Sequence, residues 1–529
     1  MKLVMTIGSG TLAGRQFTLT SGFLTIGRAD SCTVRFDPKS ERIASKQHAF
    51  IEAKADGFYL TDNKSTNGTL VNGKTVTSAK LASGDIIKFG RRGVEASISI
   101  EESDDATEDA RVFPAPSVND SFAQIGVGNV HAEAEREVSI GRVFFYIGLT
   151  ATIVLMAFLG ALLALVTTFN LGLVTALVAT VVAFVPALIY ILPLMWLDRY
   201  DPEPLWLLAL AFAWGAIISI FFSGIVNDLV AAQVGAAISP QAGQFATYVI
   251  SAPIFEESSK GIGVLLILLF FRKYFDDILD GIVFGGVVAL GFATVENVMY
   301  YGENLLKEGW NGLALVFVLR GVFSPFIHVF FTSMTGIGCG VARETHNRFL
   351  KIAAPVIGYL FAVLLHALWN FIAFAGGALM EGAGLVWACE YVPILSGTAY
   401  QSDISLCAFG LMYMILQVPL FLILVGFALF IMRRQNRILR DMLAIDVARG
   451  LVPENHVKIA TSAFRSTFWR IGGLFSGKYN HRRRYLRALG KLGLSYWHIQ
   501  RARDASGQTA SFQQNPILRA EVLKWKENV

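Results

Sequence analysis

The sequence predicts a multi-domain chain: an N-terminal β-sandwich, a polytopic α-helical membrane domain of about eight spans, and a basic cytoplasmic tail. Three observations predict it. The first hundred residues alternate short apolar runs with Gly, Asn and Asp turns, the pattern of half-buried strands. The middle holds repeated apolar stretches of the ~20 residues needed to cross a hydrocarbon core. Charge is spread unevenly along a chain of 529 residues that is 54% apolar and 16% charged. Residues 1–100 carry 14 Lys+Arg against 8 Asp+Glu, 101–137 carry 2 against 10, 138–432 carry 10 against 16, and 433–529 carry 19 against 6. Those four segments are the expected parts.

In the first segment, Met1-Lys2-Leu3-Val4 leads into alternating residues rather than an apolar core, so no signal peptide is expected. The runs Phe23-Leu24-Thr25-Ile26, Ala49-Phe50-Ile51-Glu52 and Phe58-Tyr59-Leu60, separated by turn residues, read as strands of a sandwich. Among them stand Gly27-Arg28, Ser45-Lys46-Gln47-His48, Ser65-Thr66-Asn67-Gly68 and Asn72-Gly73. In this order and spacing they resemble the forkhead-associated (FHA) domain. The resemblance implies recognition of a phosphothreonine-containing protein through Arg28, Ser45, Lys46, Thr66 and Asn67, with Gly27 and His48 bracing the fold. The chemistry agrees: Arg28 and Lys46 offer charge-assisted hydrogen bonds to a phosphate and Ser45 adds a hydroxyl. Aromatic residues are not interleaved with the basic ones as stacking on bases requires, so nucleic acid is not an expected partner.

Residues 101–137, acidic and without periodicity, read as a solvated linker. Within it Thr107 lies in an acidic run, a candidate phosphorylation site that the sandwich of the same chain, or of a second copy, would bind. Oligomeric state is not legible.

The middle segment contains candidate spans at roughly 143–168, 172–197, 205–226, 246–271, 278–301, 312–342, 353–379 and 404–432. Pro253 and Pro325 are expected kink positions. Arg199, Arg272-Lys273, Arg343, Arg348, Lys351 and Arg433-Arg434 fall in alternate loops, whereas the opposite loops hold Lys307 alone. The positive-inside rule then places both termini in the cytoplasm of a multi-pass protein of the cell membrane. Arg320 lies inside the sixth span, either paired in the bundle or reaching towards the outer face.

Glu256, Glu257, Glu296, His328 and His366 also lie inside spans, where ionisable groups are expensive and need a partner or a function. Counted along their helices at about 1.5 Å per residue, all five come within roughly 5–10 Å of one level. Lys260 stands three and four residues beyond the paired glutamates and neutralises one of them. Imidazoles and carboxylates meeting in a dry place are the donor set of a divalent metal, zinc by preference, with an open position for water. A packing role for each residue alone, or a proton relay, is the competing reading.

Glu256-Glu257-x-x-Lys260, Phe292-x-x-x-Glu296-Asn297, His328 and His366-x-x-x-Asn370 together resemble the PrsW family of intramembrane metalloproteases, related to the CAAX-prenyl-endopeptidase-like membrane proteins. Asp198-Arg199-Tyr200-Asp201-Pro202-Glu203-Pro204 and Asp280-Gly281-Ile282-Val283 extend the likeness over about 170–380. It implies a bacterial membrane protease that cuts membrane-protein substrates such as anti-sigma factors in signalling. Carried onto these positions, it makes Glu296, His328 and His366 the metal ligands, Glu256 or Glu257 the general base and Asn370 the stabiliser. Lys260 and Asn297 are then the supporting polar partners. The alternative is a membrane-anchored phosphopeptide-binding scaffold or transporter without proteolytic activity.

The tail is attracted to an anionic lipid bilayer or is a charged helical domain, and Trp469, Phe475 and Trp497 indicate that it folds. Cys32, Cys339, Cys389 and Cys407 show no metal-type spacing and read as buried thiols, with a Cys389–Cys407 disulfide as the alternative.

Overall fold

The computed structural model describes residues 1–101, 140–384, 387 and 410–529, except positions 21, 29–31, 55, 346, 412, 449, 475 and 505–510. The Thr107 expectation, Phe475 and the Cys389–Cys407 question lie outside the described residues, while Cys32 and Cys339 are buried thiols. The chain divides into two compact units, Met1–Glu137 with Arg434–Val529, and Val138–Arg433.

In the first unit the alternating runs form eleven strands in two sheets. The motif-bearing strands are β3 (Phe23–Gly27), β4 (Val34–Arg35), β5 (Ala49–Lys54), β6 (Gly57–Asp62), β7 (Thr69–Val71) and β8 (Lys74–Val76). The others are β1 (Lys2–Ile7), β2 (Gln16–Leu19), β9 (Ser78–Leu81), β10 (Ile86–Phe89) and β11 (Glu95–Glu101). One sheet has the order β2-β1-β11-β10-β7-β8, the other β4-β3-β5-β6-β9. Leu3, Met5, Ile26, Ile51, Phe58, Ile87 and Phe89 fill the space between the sheets. Asn72 and Gly73, both at positive φ, make the tight β7–β8 turn that an Asn-Gly pair favours.

The tail is helical and packs on this sandwich. Helices α9 (Glu454–Ala460), α10 (Ala463–Gly472), α11 (Tyr479–Asp504) and α12 (Ser511–Lys526) follow α8 (Val418–Ala448). Phe23 and Phe50 share a buried cluster with Leu443, Tyr485, Leu489, Tyr496 and Val522. The Phe23 ring lies 5.9 Å from both Phe50 and Tyr496. Arg519 donates to Thr20 Oγ1 at 3.0 Å, and Tyr496 to Asp446 at 2.9 Å. The first and last segments of the sequence therefore form one folded body.

The second unit is built around α5 (Ile278–Val316), whose residues 278–294 are all buried. Around it stand α1 (Ile140–Leu171), α2 (Leu173–Leu197), α3 (Leu205–Ala213, continued to Ala237), α4 (Ala252–Phe270), α6 (Ile327–Glu344) and α7 (Arg348–Gly382). A Cβ on Gly281 would overlap the Gly336 carbonyl and one on Gly336 the Gly281 carbonyl, so α5 and α6 touch backbone to backbone. Small residues four apart permit this close approach in membrane helices.

Among the described residues, six helices are long and apolar enough to cross a membrane, against the eight spans expected. Two physical facts make the difference. The run through α4 carries Glu256, Glu257 and Lys260, too much charge to qualify by composition. The run Ile278–Glu344 counts once at 67 residues, about 100 Å at 1.5 Å per residue and long enough for two passages. That run turns at Gly309 and breaks between Phe323 and Ile327, around Pro325. Pro253, by contrast, breaks nothing: it sits at the start of α4, where the π-helical turn Ala246–Ser251 passes into α-helix.

Candidate active site

Four helices bring the predicted intramembrane residues together. Glu256, Glu257 and Lys260 project from one face of α4, and all three are buried. Lys260 Nζ donates to Glu256 Oε2 at 3.2 Å and to Glu257 Oε1 at 2.9 Å, so it serves both carboxylates rather than one. The same ammonium lies 3.3 Å from His328 Nδ1 and 3.7 Å from the centre of the Phe292 ring.

His328 opens α6 directly after the Pro325 break, which sets it at the level of Glu296 on the neighbouring α5. His328 Nε2 lies 3.0 Å from Glu296 Oε2. His366 on α7 stacks on Phe331, with its Nδ1 3.1 Å from Glu257 Oε1 and its Nε2 3.9 Å from Glu256 Oε2. The two imidazoles stand edge to face at 5.2 Å. One nitrogen of each histidine thus meets a carboxylate, and the other turns towards the α4 cluster. A carboxylate on the far ring nitrogen fixes the tautomer and orientation of a ligating histidine.

Among the described residues, one group offers three metal-ligand atoms within 4.8 Å of one another: Glu256, His328 and His366. This differs at one position from the expected set, in which Glu296 joined the histidines. The reason is Arg320, whose guanidinium forms an ion pair with Glu296 and donates to Asn297 Oδ1 at 2.6 Å. Glu296 is thereby held as a partner of Arg320 and His328. Two imidazoles and one carboxylate, all buried, are a donor set that suits a divalent metal, and ligand atoms of a tetrahedral site lie about 3.3 Å apart, so a modest inward movement completes it.

Asn370 also departs from its expected place. Its amide donates to the Tyr248 carbonyl at 2.8 Å and so ties α7 to the π-helical turn that precedes α4. Three contributors are not among the residues expected from the sequence. Thr332 donates to Glu257 Oε2 at 2.8 Å. Tyr300 lies under Arg320 at 4.1 Å. The Tyr248 carbonyl is the third. Thr332 stands one helical turn beyond His328, and that spacing on one face is the signal that would have found it.

In the sandwich, the motif residues gather on three loops. Arg28 N donates to the Ser45 carbonyl at 3.1 Å and the Arg28 side chain to Ala44. Thr66 N donates to Ser45 Oγ at 3.0 Å, and Asn67 Nδ2 to the Ile43 carbonyl at 2.7 Å. Lys46, Thr66 and Asn67 are exposed there and Arg28 is half-buried. His48 is fully buried beneath them: its Nδ1 accepts from Ser45 N at 2.9 Å, and its Nε2 meets the Gly68 carbonyl at 3.2 Å. Burial pushes the His48 pKa below its ordinary value, with the Gly68 carbonyl opposing. A Cβ on Gly27 would strike the Lys46 carbonyl oxygen, so that position takes no side chain.

The family model of PrsW intramembrane metalloproteases matches residues 203–398, and an FHA domain model matches residues 24–90. Protease PrsW of Clostridioides difficile is 30% identical over 190 residues, which cover 36% of this chain and 76% of that protein. Protease PrsW of Bacillus subtilis is 28% identical over 175 residues, 33% of this chain and 73% of that protein. The FHA domain-containing protein FhaB of Mycolicibacterium smegmatis is 32% identical over 92 residues, 17% of this chain and 57% of that protein. With glutamates, histidines and lysine gathered at one buried point on α4 to α7, and with a relative of which three quarters is covered, the chain belongs to the PrsW family of intramembrane metalloproteases and carries an FHA domain in its N-terminal part.

Proposed function

We propose that Glu256, His328 and His366 hold a divalent metal, zinc by its donor set, for hydrolysis of peptide bonds in membrane-protein substrates. The observation that carries this is the convergence of those three ligand atoms within 4.8 Å. When bound, such a metal supplies a Lewis acid at neutral pH. The remaining steps belong to the chain's own groups. Glu257, held by Lys260, Thr332 and His366, takes the proton of the water that adds to the peptide carbonyl carbon and passes it to the departing amine as the C–N bond breaks. Glu296 and Glu257 orient the two histidines. Apolar walls of Phe292, Phe330 and Phe331 keep bulk water away, which strengthens every charge inside.

The test is metal content of the purified full chain beside turnover of a bound membrane substrate. Glu256→Ala and His366→Ala are expected to lose most of the metal. Glu257→Gln should keep the metal and lose at least about a hundredfold in rate, the usual worth of a general base. Glu296→Gln is expected to keep most of its metal. Loss of metal in Glu296→Gln with retention in Glu256→Ala would restore Glu296 as the ligand.

The same reading makes the FHA domain a recruiter or regulator. Arg28, Ser45, Lys46, Thr66 and Asn67 together would bind phosphothreonine on a substrate, a partner or the chain's own Thr107 segment. A role in signalling, with anti-sigma-factor-like substrates, is what the resemblance to the PrsW family implies. The basic loops argue for a multi-pass protein of the bacterial cell membrane with both termini cytoplasmic. Arg28→Ala in the full chain should weaken binding of a phosphothreonine peptide at least about tenfold, the worth of one charge-assisted bond. Equal affinity for the phosphorylated and unphosphorylated peptide would remove this part of the proposal.

A further inference from the structure

Helix α10 presents an apolar face that no described residue of its own unit covers. Phe464, Phe468 and Ile471 follow one another at the spacing of a single helix face, and Leu474 extends the row. They are 78%, 70%, 44% and 58% exposed. The opposite side of the helix is fixed. Ser466 is buried, and Trp469 lies 6.3 Å from Tyr485 and 5.7 Å from His456. Arg482 donates to the Trp469 carbonyl at 2.7 Å. The apolar row is therefore held outward by packing.

Its surroundings are cationic. Arg465 is exposed between Phe464 and Phe468, and Lys478, Arg483, Arg484 and Arg487 are exposed on the turn and helix that follow. The tail as a whole carries 19 Lys+Arg against 6 Asp+Glu. The unit is also tethered to a bilayer, because α8 runs without a break from an apolar stretch ending at Met432 into Arg433, Arg434, Arg437 and Arg440. A helix with bulky apolar residues on one face and Arg/Lys at its border lies in the headgroup region of a membrane, and anionic lipid strengthens the binding.

The geometry points to α10 as an interfacial anchor: Phe464, Phe468, Ile471 and Leu474 enter the surface of the bilayer that holds the chain, and Arg465, Lys478 and Arg483 meet its anionic phospholipid headgroups. The sandwich, packed on the same helical body, is thereby held at the membrane surface. This reading is independent of the metal site and of phosphothreonine binding.

The experiment places a photo-reactive side chain, Phe468→p-benzoyl-phenylalanine, in the full-length chain, reconstituted one copy per nanodisc. One set of discs is phosphatidylcholine and the other contains about one-third phosphatidylglycerol. Illumination is expected to give a lipid adduct of the chain in the anionic discs, at least about tenfold weaker in the neutral discs, because several basic residues near the surface act together. Arg465→Ser with Arg483→Ser should lower the adduct in anionic discs by a similar factor. Glu454→p-benzoyl-phenylalanine, at an exposed position of α9, should give none. A cross-link to protein instead of lipid, equal lipid adducts in both kinds of disc, or an equal adduct from position 454 would each overturn the proposal.

Discussion

At the scale of single residues, the division of labour among the buried carboxylates is decided by their cations. Lys260 reaches both glutamates of α4, and Arg320 takes Glu296. Convergence at one depth was legible from the positions of Glu256, Glu296, His328 and His366 along their spans. The pairing of Glu296 with Arg320 was not, because the two stand 24 residues apart on opposite sides of the Gly309 turn. A backbone acceptor such as Tyr248 leaves no trace in side-chain chemistry at all. His48 gives the pH test that belongs to this scale. Its folded pKa lies below the unfolded value of about 6.5. The unfolded chain therefore binds the proton first, and stability is complete above about pH 6.5 and falls as the pH drops towards the folded pKa. His456, depressed by burial and by Lys526, adds a contribution of the same sign. The urea midpoint of the sandwich-and-tail unit is expected to fall between pH 7 and pH 5, with a smaller fall in His48→Asn. An unchanged slope in that variant would show that His48 is not the titrating group.

At the scale of elements, the breaks matter as much as the helices. Among the described residues, four π-helical turns interrupt the membrane unit, and two of them serve the site: Ala246–Ser251 presents the carbonyl that Asn370 uses, and Phe317–Phe323 carries Arg320. Such turns cluster at functional positions in helices. The hydropathy pattern located these helices because an apolar run of span length is a strong signal. It separated eight of them, and the count of six differs only because α4 is charged and the run Ile278–Glu344 is taken once. Packing of α5 on α6 gives a mutational contrast. Gly336→Val forces a side chain into the Gly281 backbone and should destabilise the detergent-solubilised chain by about 3 kcal/mol or more. Gly426→Ala on α8, where no atom lies within 4 Å of the added Cβ, should be neutral within about 0.5 kcal/mol in the same thermal melts.

For the whole molecule, the union of the first and last segments is the feature least visible in the sequence. A trace of it was present: all five residues of β3 are buried, although a strand with one face to solvent should alternate. Phe23 and Phe50 point away from the sandwich interior and into the tail's cluster. Phe23→Ala should cost about 3 kcal/mol and speed hydrogen exchange in β3 and in α11 together, because one cluster holds both. Faster exchange confined to β3 would show that the tail is not held through this side chain. In the membrane unit, the backbone contact between Gly281 and Gly336 has a bearing on which seam can loosen. With main chain against main chain at that point, no side chain can be inserted between α5 and α6 there. Across α7, by contrast, the ties to α4 and to the turn before it are polar side-chain contacts: Ser258 to Tyr359 at 2.8 Å, His366 Nδ1 to Glu257 Oε1 at 3.1 Å and Asn370 to the Tyr248 carbonyl at 2.8 Å. The α5–α6 seam is thus held by backbone packing and the α7 seam by polar side chains, so the second is the one that side-chain rotation can loosen.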